Sequence, residues 1–370
     1  MESFFERLGY RLEPRPNISN LKVLFITILA ILTALFITGI LIASFGVNPF
    51  SAYWIIIQKT LFNFRGFTEV LRKSIPLMLA GVGLVLAFRA QFWNIGAEGQ
   101  ILAGAIAASG FALFVHLPAF LMIPAMFLAG FIAGGLWGFI PALLKVKLGV
   151  NEIITTLMMN YIALYIVRWL INGPWKGHKA NSTGFSYSDK FLREFWLPTL
   201  ARTRLHWPTL VIALLFALFV AFLLARMKFG FEIRIMGESP NAAKYAGINF
   251  FSTTIGLMLL AAGAAGLAGV GEVAGIHHRL IEPNSISLGY GYTAIIVALL
   301  ARGNPIAAIF SALFLGWVFA SGDIMRVSLQ LPSQIVGVIN GLILLCIIAA
   351  EPFIKNRIVP IKKEDKNNGI

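Results

Sequence analysis

The chain has 370 residues, 58% of them hydrophobic and only 12% charged, and a mean hydropathy of +0.81. Soluble domains carry about a quarter charged residues, so this composition excludes a soluble fold and predicts an all-α, polytopic membrane protein. The formal charge of +14 falls mostly between apolar runs, where Lys and Arg set topology rather than bind nucleic acid.

The opening segment, residues 1–22, is charged and carries Pro14 and Pro16. The first apolar run, 23–45, is too long for a signal-peptide core and predicts a retained first helix. Residues 48–74 mix aromatic and aliphatic side chains with Lys59, Arg65, Arg72 and Lys73 and predict an interfacial helix. Further spans are expected at 75–88, 100–115, 119–144 and 151–171, each close to the roughly twenty residues that cross a core of about 30 Å. A polar stretch, 172–207, predicts an extracellular loop. The second half adds spans at 209–225, 250–271, 291–301, 305–319 and 335–350, about ten in all. The runs 75–88 and 291–301 are short and glycine-flanked, which in transporters signals broken or re-entrant helices beside a cavity.

Basic residues near span ends (Arg7, Arg11, Arg15, Lys22, Arg89, Lys145, Lys147, Arg226, Lys228, Arg234, Lys244, Arg302 and the tail lysines) place both termini in the cytoplasm by the positive-inside rule. The domain plan is therefore a cytoplasmic segment 1–22, a transmembrane domain 23–350 and a cytoplasmic tail 351–370. Cys346 stands alone in an apolar run, so an intrachain disulfide is excluded.

Four segments carry polar chemistry. Residues 226–249 form a basic loop in which 241–246 reads as a short helix ended by Gly247; it is either a docking element for a partner or a charged turn that sets topology. Residues 89–100 pack Asn94, Gly96, Glu98, Gly99 and Gln100 between two spans. Glu98 there is either part of a gate or an interfacial cap, favoured by the dipole of the following helix. Asn151 and Glu152 open a span as N-cap and first-turn acid. Thr155, Thr156 and Asn160 follow, and Asn160 either bonds between helices or touches a solute. His277, His278 and Arg279 sit near Glu272 and Glu282 in an expected loop, without the spacing of a metal site. No P-loop or nucleophile motif occurs, so no cofactor, metal or enzymatic activity is expected in this chain; the energy must come from a partner or an ion gradient.

Together, the run Asn94-Ile95-Gly96-Ala97-Glu98-Gly99-Gln100, the run from Gly149 to Leu157 with Asn160, the run from Asn241 to Ile248, and Ile296 to Leu300 before Pro305 resemble permease subunits in the branched-chain amino acid, ribose and nucleoside group of ABC importers. The resemblance covers residues 76–351 and is greatest to the longer of the two permeases of purine-nucleoside importers. Departures are Trp93, where the family usually has Phe, and Ala301, where Gly is common. The resemblance implies a non-enzymatic transport subunit in the cell membrane, moving a nucleoside by alternating access. It also implies partner ABC ATPase subunits, a second homologous permease and an extracytoplasmic substrate-binding lipoprotein. Asn241, Ala242, Ala243, Lys244, Tyr245 and Gly247 would then form the coupling helix, with Lys244 and Tyr245 in contact with the ATPase. Asn94, Gln100 and Asn160 are candidate solute contacts on chemical grounds. The alternatives are a permease for a simple sugar such as ribose, an ion-coupled transporter, for which titratable residues near the bilayer centre are scarce, and a membrane anchor, which leaves the polar glycine-bearing interruptions unexplained.

Overall fold

Inside a bilayer no water satisfies backbone N–H and C=O groups, so apolar runs close their hydrogen bonds internally as helices. A computed structural model of the chain describes residues 10–14, 19–178 and 186–360, and among these ten helices are long and apolar enough to cross a membrane. The elements are β1 (Tyr10–Pro14), α1 (Asn20–Ser44), α2 (Pro49–Thr60), α3 (Phe64–Arg89), α4 (Ala97–Phe114), α5 (Ala119–Leu148), α6 (Glu152–Asn172), α7 (Trp207–Arg226), α8 (Lys228–Glu238), α9 (Pro240–Tyr245), α10 (Phe250–Glu272), α11 (Pro283–Ser287), α12 (Tyr290–Leu300), α13 (Pro305–Ser328), α14 (Ser333–Lys355) and β2 (Asn356–Pro360). Much of segment 1–22 and the tail lysines lie outside the described residues.

The chain divides into two compact units, one of residues 1–59 and 321–370, the other of residues 60–320, with the second boundary inside α13. In the first unit α1 packs on α14, and β1 pairs antiparallel with β2, Tyr10 opposite Pro360 and Pro14 opposite Asn356. This pairing was not expected from the sequence; it brings the segment before α1 beside the segment after α14. Thr38 ties α1 to α2 through the Tyr53 hydroxyl at 2.9 Å.

In the second unit α3 is buried along nearly its whole apolar length. It lies against α10, which also packs on α4 and α5. Glycines set these crossings. A Cβ on Gly104 would stand 2.1 Å from the Gly266 carbonyl, one on Gly266 2.2 Å from the Gly130 carbonyl, and one on Gly134 2.5 Å from the Ala262 carbonyl. Backbones that touch this closely are the small-residue packing by which membrane helices associate without a hydrophobic driving force.

Three expectations are corrected. Residues 48–74 are not one interfacial helix but α2 plus the first turns of α3, because Asn63 accepts the amides of Arg65 and Gly66 and starts a new helix there. Residues 75–88 are not a short broken span: α3 runs 26 residues through Pro76. Its Arg72, 5% exposed, is held by Glu69 at 2.7 Å, which lets a charged first half be buried. His277 and Glu272 are not in a loop. Glu272 ends α10, and Val273–His277 prolong it as a π-helical turn.

The described part of the loop between α6 and α7 is tied onto this turn. Ser188 N–H donates to the Leu280 carbonyl and Ser188 Oγ accepts the Leu280 amide, Phe191 N–H donates to the His278 carbonyl and Leu197 N–H to that of Ala274. Trp196 stacks on His278 with centroids 3.7 Å apart. Burial pushes the His206 imidazole down to about 3, so it packs as a neutral ring against Gly275, where a Cβ would come within 2.6 Å.

Replacing Gly266 by Leu is expected to cost at least about 1–3 kcal/mol through overpacking and to lower the thermal unfolding midpoint in detergent. Gly337→Ala, where a Cβ meets nothing within 4 Å, should leave the midpoint unchanged; equal midpoints for both variants would refute the glycine-set crossing.

Candidate functional site

α12 has 11 residues, about 16 Å of helix at 1.5 Å per residue, roughly half a hydrocarbon core. It is preceded by the five-residue α11 and separated from it by Leu288 (φ 46°) and Gly289 (φ 75°), both left-handed. The expected short span at 291–301 is therefore the second half of a broken helix, and its first turn begins beside α4. A Cβ on Gly291 would lie 2.2 Å from the Glu98 nitrogen, so only glycine permits that approach.

Glu98 occupies this junction. It sits in the first turn of α4, buried, and its Oε2 accepts the Gly291 amide of α12 at 2.8 Å. The Ser287 hydroxyl and the amides of Gly289 and Tyr292 also point to the carboxylate. Glu98 thus serves two helix N-termini at once, each of which favours negative charge.

The segment leading to Glu98 is fastened by one face of α6. Glu152, Thr156 and Asn160 recur every four residues and so project from the same side. The Trp93 amide makes a long 3.5 Å contact with Glu152 Oε1, the Ile95 amide donates to Thr156 Oγ1 at 3.2 Å, and the Gly99 amide donates to Asn160 Oδ1 at 2.8 Å. Asn160 Nδ2 returns a bond to the Ile95 carbonyl at 2.9 Å and reaches the Tyr292 hydroxyl at 3.4 Å. Lys145 pairs with Glu152, while the Asn151 side chain caps α6 by accepting the Ile153 amide at 2.8 Å. Gly96 and Gly99 give the clearance: added Cβ atoms would meet Thr156 and Asn160 at 3.0–3.2 Å.

The expected solute contacts are placed differently from one another. Asn94 and Gln100 are buried with their amides face to face, each donating to the other at 3.1 Å, and Asn94 Oδ1 also accepts the Gly96 amide. They fold the loop onto itself and do not face open space. Asn160 serves the loop and, through Tyr292, touches the broken helix.

The basic segment 226–249 is more ordered than its sequence suggests. It contains α8, which was not anticipated, and then α9, capped by Ser239 through the Ala242 amide at 3.3 Å and closed by left-handed Gly247 (φ 70°). Asn241, Ala242, Lys244, Tyr245 and Gly247 are exposed and Ala243 is buried; Tyr245, at 93% exposure, stands almost free of the chain. Beneath them, a Cβ on Gly237 of α8 would lie 1.9 Å from the Arg89 carbonyl at the end of α3. Arg89 Nε donates to the Gly303 carbonyl at 2.9 Å, and Arg302 and Gly303 (φ 48° and 74°) form the turn after α12, so Ala301 needs no special conformation. The surface helix pair, α3 and the broken helix thus meet in consecutive contacts. Sequence reasoning missed Ser239, Arg89 and Tyr292; only the four-residue recurrence of Glu152, Thr156 and Asn160 was there to be read.

Among the described residues, ten helices long and apolar enough to cross a membrane, one broken at a buried carboxylate, and a capped helix presented at the surface fit a polytopic membrane transport subunit. The chain matches, over residues 66–348, the family described as branched-chain amino acid transport system / permease component, and it belongs to that family: it is the permease subunit of an ABC importer, a multi-pass protein of the cell membrane. It is 34% identical to a glucose ABC transporter permease protein of Haloferax volcanii, covering 94% of this chain and 93% of the relative. It is 32% identical to a nucleoside ABC transporter permease protein of Lactococcus lactis (95% and 96%) and 30% identical to a guanosine ABC transporter permease protein of Bacillus subtilis (95% and 100%).

Glu98→Ala should leave the buried α12 amides without an acceptor, at about 1–3 kcal/mol, and depress both the unfolding midpoint and transport. Glu98→Gln keeps one acceptor oxygen and should lose less of each. Wild-type stability in Glu98→Ala would show that the junction does not depend on this side chain.

Proposed function

We propose that this chain carries a nucleoside into the cell, driven by ATP hydrolysis in a separate ATPase subunit that docks on α9. The observation that carries the docking assignment is α9 itself: a capped six-residue helix with Lys244 and Tyr245 exposed, backed by α8 and the end of α3. In this reading Asn241, Ala242, Ala243, Lys244, Tyr245 and Gly247 are the coupling element. Asn94, Gly96, Glu98, Gly99, Gln100, Asn151 and Glu152 are the framework of the gate. Both termini and residues 226–249 face the cytoplasm, where the positive-inside rule puts the basic residues, and the α6–α7 loop faces outward. A second homologous permease completes the transporter and an extracytoplasmic lipoprotein delivers the solute.

Two of the relatives described above are named for nucleosides or guanosine and match over nearly their whole length, which supports the nucleoside. One named for glucose is as similar, so a sugar is the second reading. Uptake of labelled guanosine, uridine, ribose and glucose into cells with and without this chain decides between them. Guanosine uptake that vanishes without the chain, and again with an ATPase unable to hydrolyse ATP, is the expected result. Uptake of glucose alone would move the solute, and uptake indifferent to the ATPase would overturn the energy source.

Lys244→Glu and Tyr245→Ala are expected to reduce recovery of the ATPase with the solubilised permease several-fold while membrane levels stay unchanged. Full recovery and full transport in both variants would refute the docking role of α9.

A further inference from the structure

The exposed faces of the helices are of two kinds. α5 presents Phe120, Leu128, Ile132, Leu136 and Ile140, and α7 presents Val211, Leu215, Leu218, Phe219 and Phe222; these are hydrocarbon surfaces suited to lipid. α6 is different. Its exposed side interleaves Ile154, Met158 and Ile162 with Tyr161, Tyr165 and Trp169, and beside them Arg168 pairs with Glu282 at 2.5 Å, with side chains 38% and 44% exposed. Arg168 also lies over the Tyr165 ring, 5.9 Å from its centroid. Tyr292, half-exposed at the start of α12, continues this surface through its contact with Asn160.

An aromatic belt at the membrane interface explains Trp169, which lies within one turn of the end of α6. It does not explain Tyr161, which stands near the middle of the helix, or Tyr292 at the broken-helix junction. Hydroxyls on an outward face near the middle of a span are disfavoured against lipid and belong beside water or a polar partner, and the Arg168–Glu282 pair, at the level of Trp169, continues that polar face toward the interface. Because this face lies on the outside of the unit formed by residues 60–320, it must be covered by something other than this unit.

Resting on the importer reading above, we propose that Tyr161, Tyr165, Tyr292 and the Arg168–Glu282 pair form one wall of the solute path and contact the transported nucleoside. The aromatic rings offer faces on which a base stacks; the hydroxyls and the ion pair offer donors and acceptors for ribose and base edges. Of the three solute contacts that the sequence suggests, Asn94 and Gln100 are engaged with each other and Asn160 with the 95–99 backbone, so in this proposal the wall takes their place as the specificity surface.

The test uses the assembled transporter in native membranes, with Cys346→Ala as the cysteine-free parent. Uptake by that parent, measured first, tests the importer reading on its own. Single cysteines are then placed at Tyr161, Tyr165 and, as the lipid-face comparison, Leu215, and treated with a membrane-impermeant methanethiosulfonate. Cysteines at 161 and 165 should react about tenfold faster than at 215, since a thiol in hydrocarbon stays protonated and unreactive. Saturating guanosine should slow them; slowing by glucose instead would keep the wall and change the solute. Reaction at 161 and 165 no faster than at 215 would overturn the proposal even if the parent transports. So would fast reaction that neither solute slows. A Tyr165→Cys protein that reaches the membrane suffices should Tyr161→Cys fail to assemble.

Discussion

The second unit depends on a single buried carboxylate. Glu98 lies where α4 begins and where the second half of the broken helix begins, and a lone ionised group at such a place would carry a large desolvation cost. The amides at two helix starts offset that cost, and the arrangement dictates its surroundings. α12 must start within the membrane, Gly291 must be glycine to let the backbones touch, and the loop 90–96 must hold a fixed shape to present Glu98. The polar ladder on α6 supplies that shape. Remove the carboxylate and the reason for a helix to begin in mid-membrane goes with it.

From this junction a continuous series of hard contacts leads to the surface. α12 ends in the Arg302–Gly303 turn; the Gly303 carbonyl is held by Arg89; the Arg89 carbonyl lies against Gly237 of α8; and α8 leads directly into α9 through Ser239. None of these steps involves a long flexible side chain spanning a gap except the Arg89 guanidinium, itself fixed by its bond. Packed contacts of this kind pass on displacement rather than absorb it. In the proposed docking role of α9, a push on it would reach α3 directly and, through the turn, the half-helix at Glu98. Alternating access needs such a linkage between the surface and the barrier.

The number of spans and the polar motifs were legible in the sequence because hydrocarbon imposes a simple rule, apolar for about twenty residues, and every interruption stands out. The rule fails where a charge is compensated locally. Arg72 and Lys73 made residues 48–74 look interfacial, yet Glu69 one turn earlier lets Arg72 sink inside α3. The rule is also silent on partners distant in sequence. From the sequence Glu98 reads either as part of a gate or as an interfacial cap at the start of its own helix; that its carboxylate accepts an amide of α12, 193 positions away, depends on Gly291 and on the left-handed residues before it, which no local pattern couples to Glu98. The π turn after α10 and the pairing of β1 with β2 belong to the same class of non-local facts.

The same accounting separates two kinds of polar residue that look alike in a sequence. An amide or hydroxyl among apolar neighbours in a membrane span is either consumed by a bond that shapes the fold or kept beside water for use. Asn94, Gln100, Thr156 and most of Asn160 are consumed: their partners are backbone groups of one loop and one another. Tyr161 and Tyr165 are turned outward, where lipid would disfavour their hydroxyls, beside the Arg168–Glu282 pair that ties α6 to the start of α11. A motif identifies the first kind more readily, since a shape needs particular residues at fixed spacing. Residues that choose a solute need only line a surface, so they are found by asking which polar groups the fold leaves unspent.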